Sequence, residues 1–189
     1  HLEIELNNRL NITGSDGANA IWQLSSDIML NNGIRISGNY FYDEFILDKE
    51  DDLQGKEHGK GYSLRISKTK RKFNSIFTMY CSFISIGTPV FRHGNGNNNF
   101  VQRGKPLGWE YGSDGEETKF GFNLLYKNKL ISRISMGTRT IGEESILNRP
   151  YEKYKDYLKG NFPSGLVESG LFSQFKLEYW LKGYSKLIF

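Results

Sequence analysis

The chain has 189 residues, 24% charged and 38% hydrophobic, which places it outside the disordered class and allows one domain with a real core. A single cysteine, Cys81, excludes a disulfide framework, and no run of about 18 apolar residues is present to make a transmembrane helix. The surplus of 25 basic over 21 acidic residues is small, and no nucleic-acid partner is expected from it.

Period-two alternation dominates the sequence, and helical periodicity is nearly absent. "HLEIEL" gives an opening strand through Leu2, Ile4 and Leu6. "AIWQLSSDIML" sets Ala20, Trp22, Leu24, Ile28 and Leu30 against Gln23, Ser25 and Asp27. "GIRISGNYFYDEF" alternates Ile34, Ile36, Gly38, Tyr40 and Tyr42 with Arg35, Ser37, Asn39 and Asp43. "GYSLRIS" continues the pattern through Tyr62, Leu64 and Ile66, while Phe73–Gly87 alternates poorly. In "TKFGFNLLY" Phe120, Phe122, Leu124 and Tyr126 share a face, and in "ISRISMGTR" Ile134 and Met136 oppose Arg133, Ser135 and Arg139. The final "FKLEYWLKGYSKLIF" keeps one phase from Phe175, Leu177 and Tyr179 to Phe189 and is expected to be one strand. The count is about eight strands, in line with the spacing of turn signals.

The connections alternate in length. They are short at Asn31–Gly33, Lys68–Lys72 and Lys127–Lys129, and long at Ile46–Lys60, Thr88–Glu117 and Ile141–Gly170. An antiparallel up-and-down sheet with tight turns at one end and large loops at the other produces this rhythm, which is the layout of an outer-membrane β-barrel. A soluble β-sandwich shares the alternation but has no reason to segregate its loops by length. The expectation is therefore an all-β, transmembrane β-barrel in a bacterial outer membrane, its apolar face toward lipid. By parity the last strand would descend from the loop Ile141–Gly170 to a periplasmic Phe189. His1 opens the chain without a visible signal peptide, so residues 1–189 read as a processed protein or a piece of a longer one.

The polar face of the strands is basic, with Arg35, Arg65, Lys119, Arg133, Arg139 and Lys176 set among Asp27, Asp43 and Glu178. These side chains are expected to point into the lumen. There they either attract anions, because low-dielectric walls focus the field of lined charges, or form a salt-bridge network that fills the barrel. "FYDEFILDKEDD", Phe41–Asp52, is acidic but lacks calcium-loop spacing, and nothing around it suggests the pocket that paired glycosidase carboxylates need. His1, His58 and His93 form no spaced pair for zinc, and no G-x-S-x-G elbow occurs. Cys81 falls on the apolar side of its strand beside Phe77, Met79 and Phe83, as packing. No enzymatic activity, cofactor or metal is expected.

One stretch interrupts the strands: "RHGNGNNNFVQRGKPLGWEYGSDGEE", Arg92–Glu117. Loops this long without regular pattern are usually functional or disordered. Together with "YFYDEFILDKED" before it, this stretch resembles the C-terminal half of the capsule assembly protein Wzi family. The matching elements are Asp43-Glu44, Arg92-His93-Gly94, Pro106-Leu107-Gly108, Gly112 and Asp114, within Gly38 to Tyr126. The resemblance implies the C-terminal portion of a barrel of about 18 strands. It also implies a surface lectin that anchors capsular or other surface polysaccharide, with a porin or polysaccharide export channel as the alternative. On that reading Arg92, His93, Phe100, Arg103, Trp109, Tyr111 and Asp114 hold an acidic polysaccharide. Aromatic faces would stack on pyranose rings, and planar guanidinium groups would take carboxylates. The other reading of the loop is a plug folded against the barrel wall, with Trp109 as its anchor.

Overall fold

The computed structural model describes residues 21–43, 49–53, 57–92, 99–148, 160–181 and 186–188. Eight strands form one antiparallel sheet. They are β1 (Trp22–Met29), β2 (Ile34–Tyr42), β3 (Lys60–Lys72), β4 (Ser75–Ile86), β7 (Gly115–Tyr126), β8 (Leu130–Ile141), β9 (Glu168–Trp180) and the short β10 (Lys186–Ile188). A separate hairpin, β5 (Val101–Gln102) and β6 (Lys105–Pro106), and a five-residue helix, α1 (Lys49–Leu53), lie in the connections. Each long strand pairs with its neighbours in chain order, so the sheet is a meander. It is open among the described residues: β1 and β10 stand at opposite edges and do not pair. The expected closed barrel is thus seen only as an antiparallel sheet, and the expected strand His1–Leu6 lies outside the described residues.

The segregation of loops by length is present in the fold. Tight turns at Asn31–Gly33, residues 73–74 and residues 127–129 stand at one end, and the long connections 43–59, 87–114 and 142–167 stand at the other. Lys127 and Asn128 take left-handed φ angles of 50° and 54°, the twist that matches tight hairpins. Two boundaries differ from expectation. "KTKRK" is not a turn, because β3 runs on to Lys72, which pairs with Ser75. Lys68, Lys70 and Lys72 continue the strand's alternation with charge in place of apolar bulk, which hid it. "FKLEYWLKGYSKLIF" is not one strand, because β9 ends at Trp180 and β10 returns along it, pairing Leu187 with Tyr179. Paired positions share parity here, so the period-two phase passes through the reversal unbroken. Phe189 lies outside the described residues.

Register sorts the side chains onto two faces. One cross-strand row reads Ile28, Ile36, Ile66, Cys81, Phe120, Met136, and the next Ile34, Lys68, Met79, Phe122, Ile134, Phe175. This apolar face is open: Met79 is 64% exposed, Phe175 61% and Leu171 87%. The opposite face carries Ser37, Arg65, Ser82, Lys119, Gly137 and Phe172 in one row. Among the described residues the buried hydrophobic side chains are Ile86, Val90, Phe91, Trp109 and Ile146. They form one cluster with Phe41, Ile84 and Ile141, all on the polar face at its loop end. The dry core is therefore where the long loops fold back over the sheet, not between two layers.

Candidate functional site

The long loops are tied together by one carboxylate. Asp114, just before β7, is fully buried, and its φ of 58° turns the chain into the strand. Its Oδ1 accepts hydrogen bonds from the Thr88 hydroxyl (2.9 Å) and the Ser164 N–H (2.9 Å). Its Oδ2 accepts from the Ser164 hydroxyl (2.5 Å) and the Glu144 N–H (3.2 Å). Gly142 donates its N–H to the Asp114 carbonyl at 2.7 Å, and a Cβ at 142 would stand only 2.0 Å from Oδ2. Three chain segments, near residues 88, 142–144 and 164, are so held to the start of β7. A buried carboxylate persists when hydrogen bonds replace its lost water, and four of them do so here.

The loop after β4 packs by the same logic. Asp43, at the end of β2, is buried and accepts the Phe91 N–H. Phe91 stacks on Phe41 at 5.9 Å and lies 6.4 Å from Phe100. Trp109 is 9% exposed and meets Tyr111 edge-on at 5.5 Å. Arg92, 1% exposed, donates to the Glu144 carbonyl. The hairpin β5–β6 projects from this packed base with Arg103 and Gly104 at its tip, at φ angles of 52° and 73°. Arg103 is exposed and Phe100 half-buried.

The stacking face expected of Trp109 is therefore turned into the protein, because an indole between Gly115 and Tyr111 lowers the free energy of the loop more than it could in water. The guanidinium of Arg92 and the carboxylates of Asp43 and Asp114 are likewise engaged in hydrogen bonds that tie the long connections to one another. Of the residues expected to hold polysaccharide, Arg103 faces solvent, and Phe100 and Tyr111 do so in part. His93 and Glu44 lie outside the described residues. Thr88, Gly142, Glu144 and Ser164 went unnoticed in the sequence, since small polar loop residues carry no signal of the carboxylate they serve.

The basic face resolves into pairs. Arg35 pairs with Asp27. Arg139 binds Glu117 Oε2 at 2.8 Å, and Lys119 binds Oε1 at 2.8 Å. Arg133 pairs with Glu178, and Lys176 stands 3.1 Å from the same oxygen. Glu117 and Glu178 are buried, which two cations apiece compensate. Five of the six expected cations are thus paired, as an internal network would have it. Arg65 differs, its guanidinium lying 3.9 Å from the centroid of the Tyr80 ring.

Aromatic rings support this face in a way the alternation did not reveal. Three cross-strand pairs set a ring over a glycine: Phe41 with Gly61, Tyr80 with Gly121 and Phe172 with Gly137. Phe172 carries Arg139 at 4.6 Å and Lys119 at 5.6 Å, and Arg139 also lies 3.2 Å from the Tyr111 centroid. Cations over ring faces are attracted by the ring quadrupole, which fixes their orientation. Comparison with family models, with curated proteins and with solved structures finds no match for this chain.

Proposed function

We propose that this chain is wall and loop assembly of a bacterial outer-membrane β-barrel that retains acidic surface polysaccharide at its loop end, as the resemblance to the capsule assembly protein Wzi family implies. The observation that carries the membrane half is the open apolar face. Exposed apolar patches beyond a few hundred Å² are rare on soluble monomers, and each Å² left in water forgoes about 25 cal/mol. Here whole cross-strand rows, from Ile28 to Met136, stand uncovered while the opposite face is charged and paired. Lipid covers such a face without a partner protein. The strands β3, β4, β7, β8 and β9 have 12 or 13 residues, more than the roughly 9–11 that a tilted membrane strand needs.

Arg103 at the tip of β5–β6 supports the polysaccharide half. It is exposed, its backbone is fixed by a tight turn, and a guanidinium matches a carboxylate in a planar fork. Trp109 acts as the loop's anchor beneath it, which joins the lectin and plug readings in one loop. The test uses the chain in a Cys81→Ser background with single cysteines at Arg103 and at Asn128. A membrane-impermeant maleimide should label position 103 on intact cells and position 128 only after permeabilisation. Equal labelling of both would refute a spanning barrel. In the same cells Arg103→Ala should release surface polysaccharide with the barrel assembled. Unchanged retention, with conductance steps in planar bilayers, would favour the export channel.

A further inference from the structure

Among the described residues Arg65 and Arg71 are polar-face cations with no carboxylate partner and no side-chain hydrogen bond, and of the two Arg65 stands mid-strand against an aromatic ring. Its position is nonetheless fixed. Tyr80 lies across Gly121 on the neighbouring strand, where a Cβ would stand 2.1 Å from the ring, and the guanidinium rests on that ring. Stacking occupies the face of a guanidinium and leaves the N–H donors around its rim. Such a group is prepared for a planar oxyanion before one arrives. Lys119 stands in the same cross-strand row, with Ser82 between them. Lys119 and Arg139 pair with the one carboxylate here, Glu117, and Arg65 lines the same groove, so cations outnumber the acid and the local field is positive.

The walls beside Arg65 are mixed: hydroxyls and an amide on one side, Tyr80 and Ile84 on another, and Glu117, whose charge Lys119 and Arg139 neutralise. A groove of about 290 Å³ beside Arg65 is lined by Ser37, Asn39, Ser63, Ser82 and Lys119. Ligand pockets run from about 300 Å³ upward, so this one has room for a single small ring. Asn39 donates to the Ser63 hydroxyl at 3.1 Å and accepts from Ser25 at 2.8 Å and Gln23 at 3.1 Å, a polar ladder across three strands. It lies directly below the loop core, whose Ile84 and Ile86 follow Ser82 on the same face of β4.

We propose that this groove binds a carboxylate carried on a polyhydroxyl unit, one acidic sugar residue. Arg65 takes the carboxylate in a bidentate fork, Lys119 adds charge, and the Ser37–Asn39–Ser63–Ser82 wall exchanges hydrogen bonds with ring hydroxyls. The assignment rests on the reading above only in that the polar face is wet.

The test titrates the full chain, in detergent, with trigalacturonate, maltotriose and inorganic phosphate as probes. Trigalacturonate should bind and maltotriose should not, and raised salt should weaken the binding. Arg65→Gln should loosen trigalacturonate by about 10- to 100-fold, the value of one charge-assisted bidentate contact. Arg65→Lys should recover part of that loss, and Lys127→Ala should change nothing. Wild-type affinity in Arg65→Gln, or no binding of trigalacturonate to the wild type, overturns the site. Phosphate competing as well as trigalacturonate overturns its sugar half. Heat-modifiable gel migration reports the barrel separately. A chain that binds through Arg65 without entering membranes keeps this site and loses the membrane reading. A chain that inserts, with Arg65→Gln binding as wild type, does the reverse.

Discussion

Tyr80 and Gly121 face each other across β4 and β7, and the phenol ring occupies the space that any side chain at 121 would need. The pair joins the strands and sets the platform for Arg65. Gly121→Ala should displace the ring and destabilise the sheet by about 1–2 kcal/mol, as overpacking does. Gly170→Ala, where nothing lies within 4 Å of the added Cβ, should be neutral. Urea unfolding of both variants checks this, and equal midpoints would contradict the ring-on-glycine contact.

Met79 separates lipid from water as the cover of the apolar face. It is 64% exposed, so in water Met79→Arg should alter stability by no more than about 0.5 kcal/mol. Against lipid the same change should cost about 2–4 kcal/mol. Thr78→Arg, on the polar face beside Met79, should be tolerated. Unfolding of vesicle-inserted protein measures the difference, and equal costs at 78 and 79 would refute the lipid contact.

Asp114→Ala removes the acceptor of four hydrogen bonds, leaves the Ser164 amide unsatisfied and leaves the Glu144 amide only its 3.3 Å bond to Ser164 Oγ. The expected loss is about 3–5 kcal/mol, concentrated in the loops. Hydrogen exchange should quicken at Gly142, Glu144 and Ser164 while the amides of β4 and β7 keep their protection. Uniform acceleration through the strands would show that Asp114 supports the sheet and not the loops alone.

Trp109 and Arg103 should part company although only five residues separate them. Trp109→Ala opens a cavity in the loop core and should cost about 3–5 kcal/mol, with failed or slowed assembly by heat-modifiable migration. Arg103→Ala, at an exposed tip, should leave stability within about 0.5 kcal/mol and act on polysaccharide retention alone. Normal assembly of Trp109→Ala would remove the anchor role.

Much of this fold was legible in the sequence because alternation is a local property. A strand shows its two faces residue by residue, so the apolar set Phe120, Phe122, Phe175 and the basic set Lys119, Arg133, Lys176 follow from spacing alone. Loop lengths are also written along the chain, and the segregation of tight turns from long connections needs no partner. Register and burial belong to pairs of segments far apart in sequence. Only the tertiary structure decides that β3 runs through Lys72, since pairing with Ser75 is what makes that end strand. Only it reverses the chain after Trp180, where the alternation continues unbroken. The site divides in the same way. Arg103 is expected to meet polysaccharide as a guanidinium of the long loop, and the structure leaves it exposed. Trp109, Arg92 and Asp114 looked equally available, yet the loop needed them for itself. A segment folded onto a sheet must bury an anchor and satisfy its amides, and which residues serve depends on what lies beneath. Arg65 lay in the same uniform row of cations as its neighbours. Its lack of a carboxylate partner and its rest on Tyr80 follow from which strand stands beside β3, and that the three-dimensional pairing alone determines.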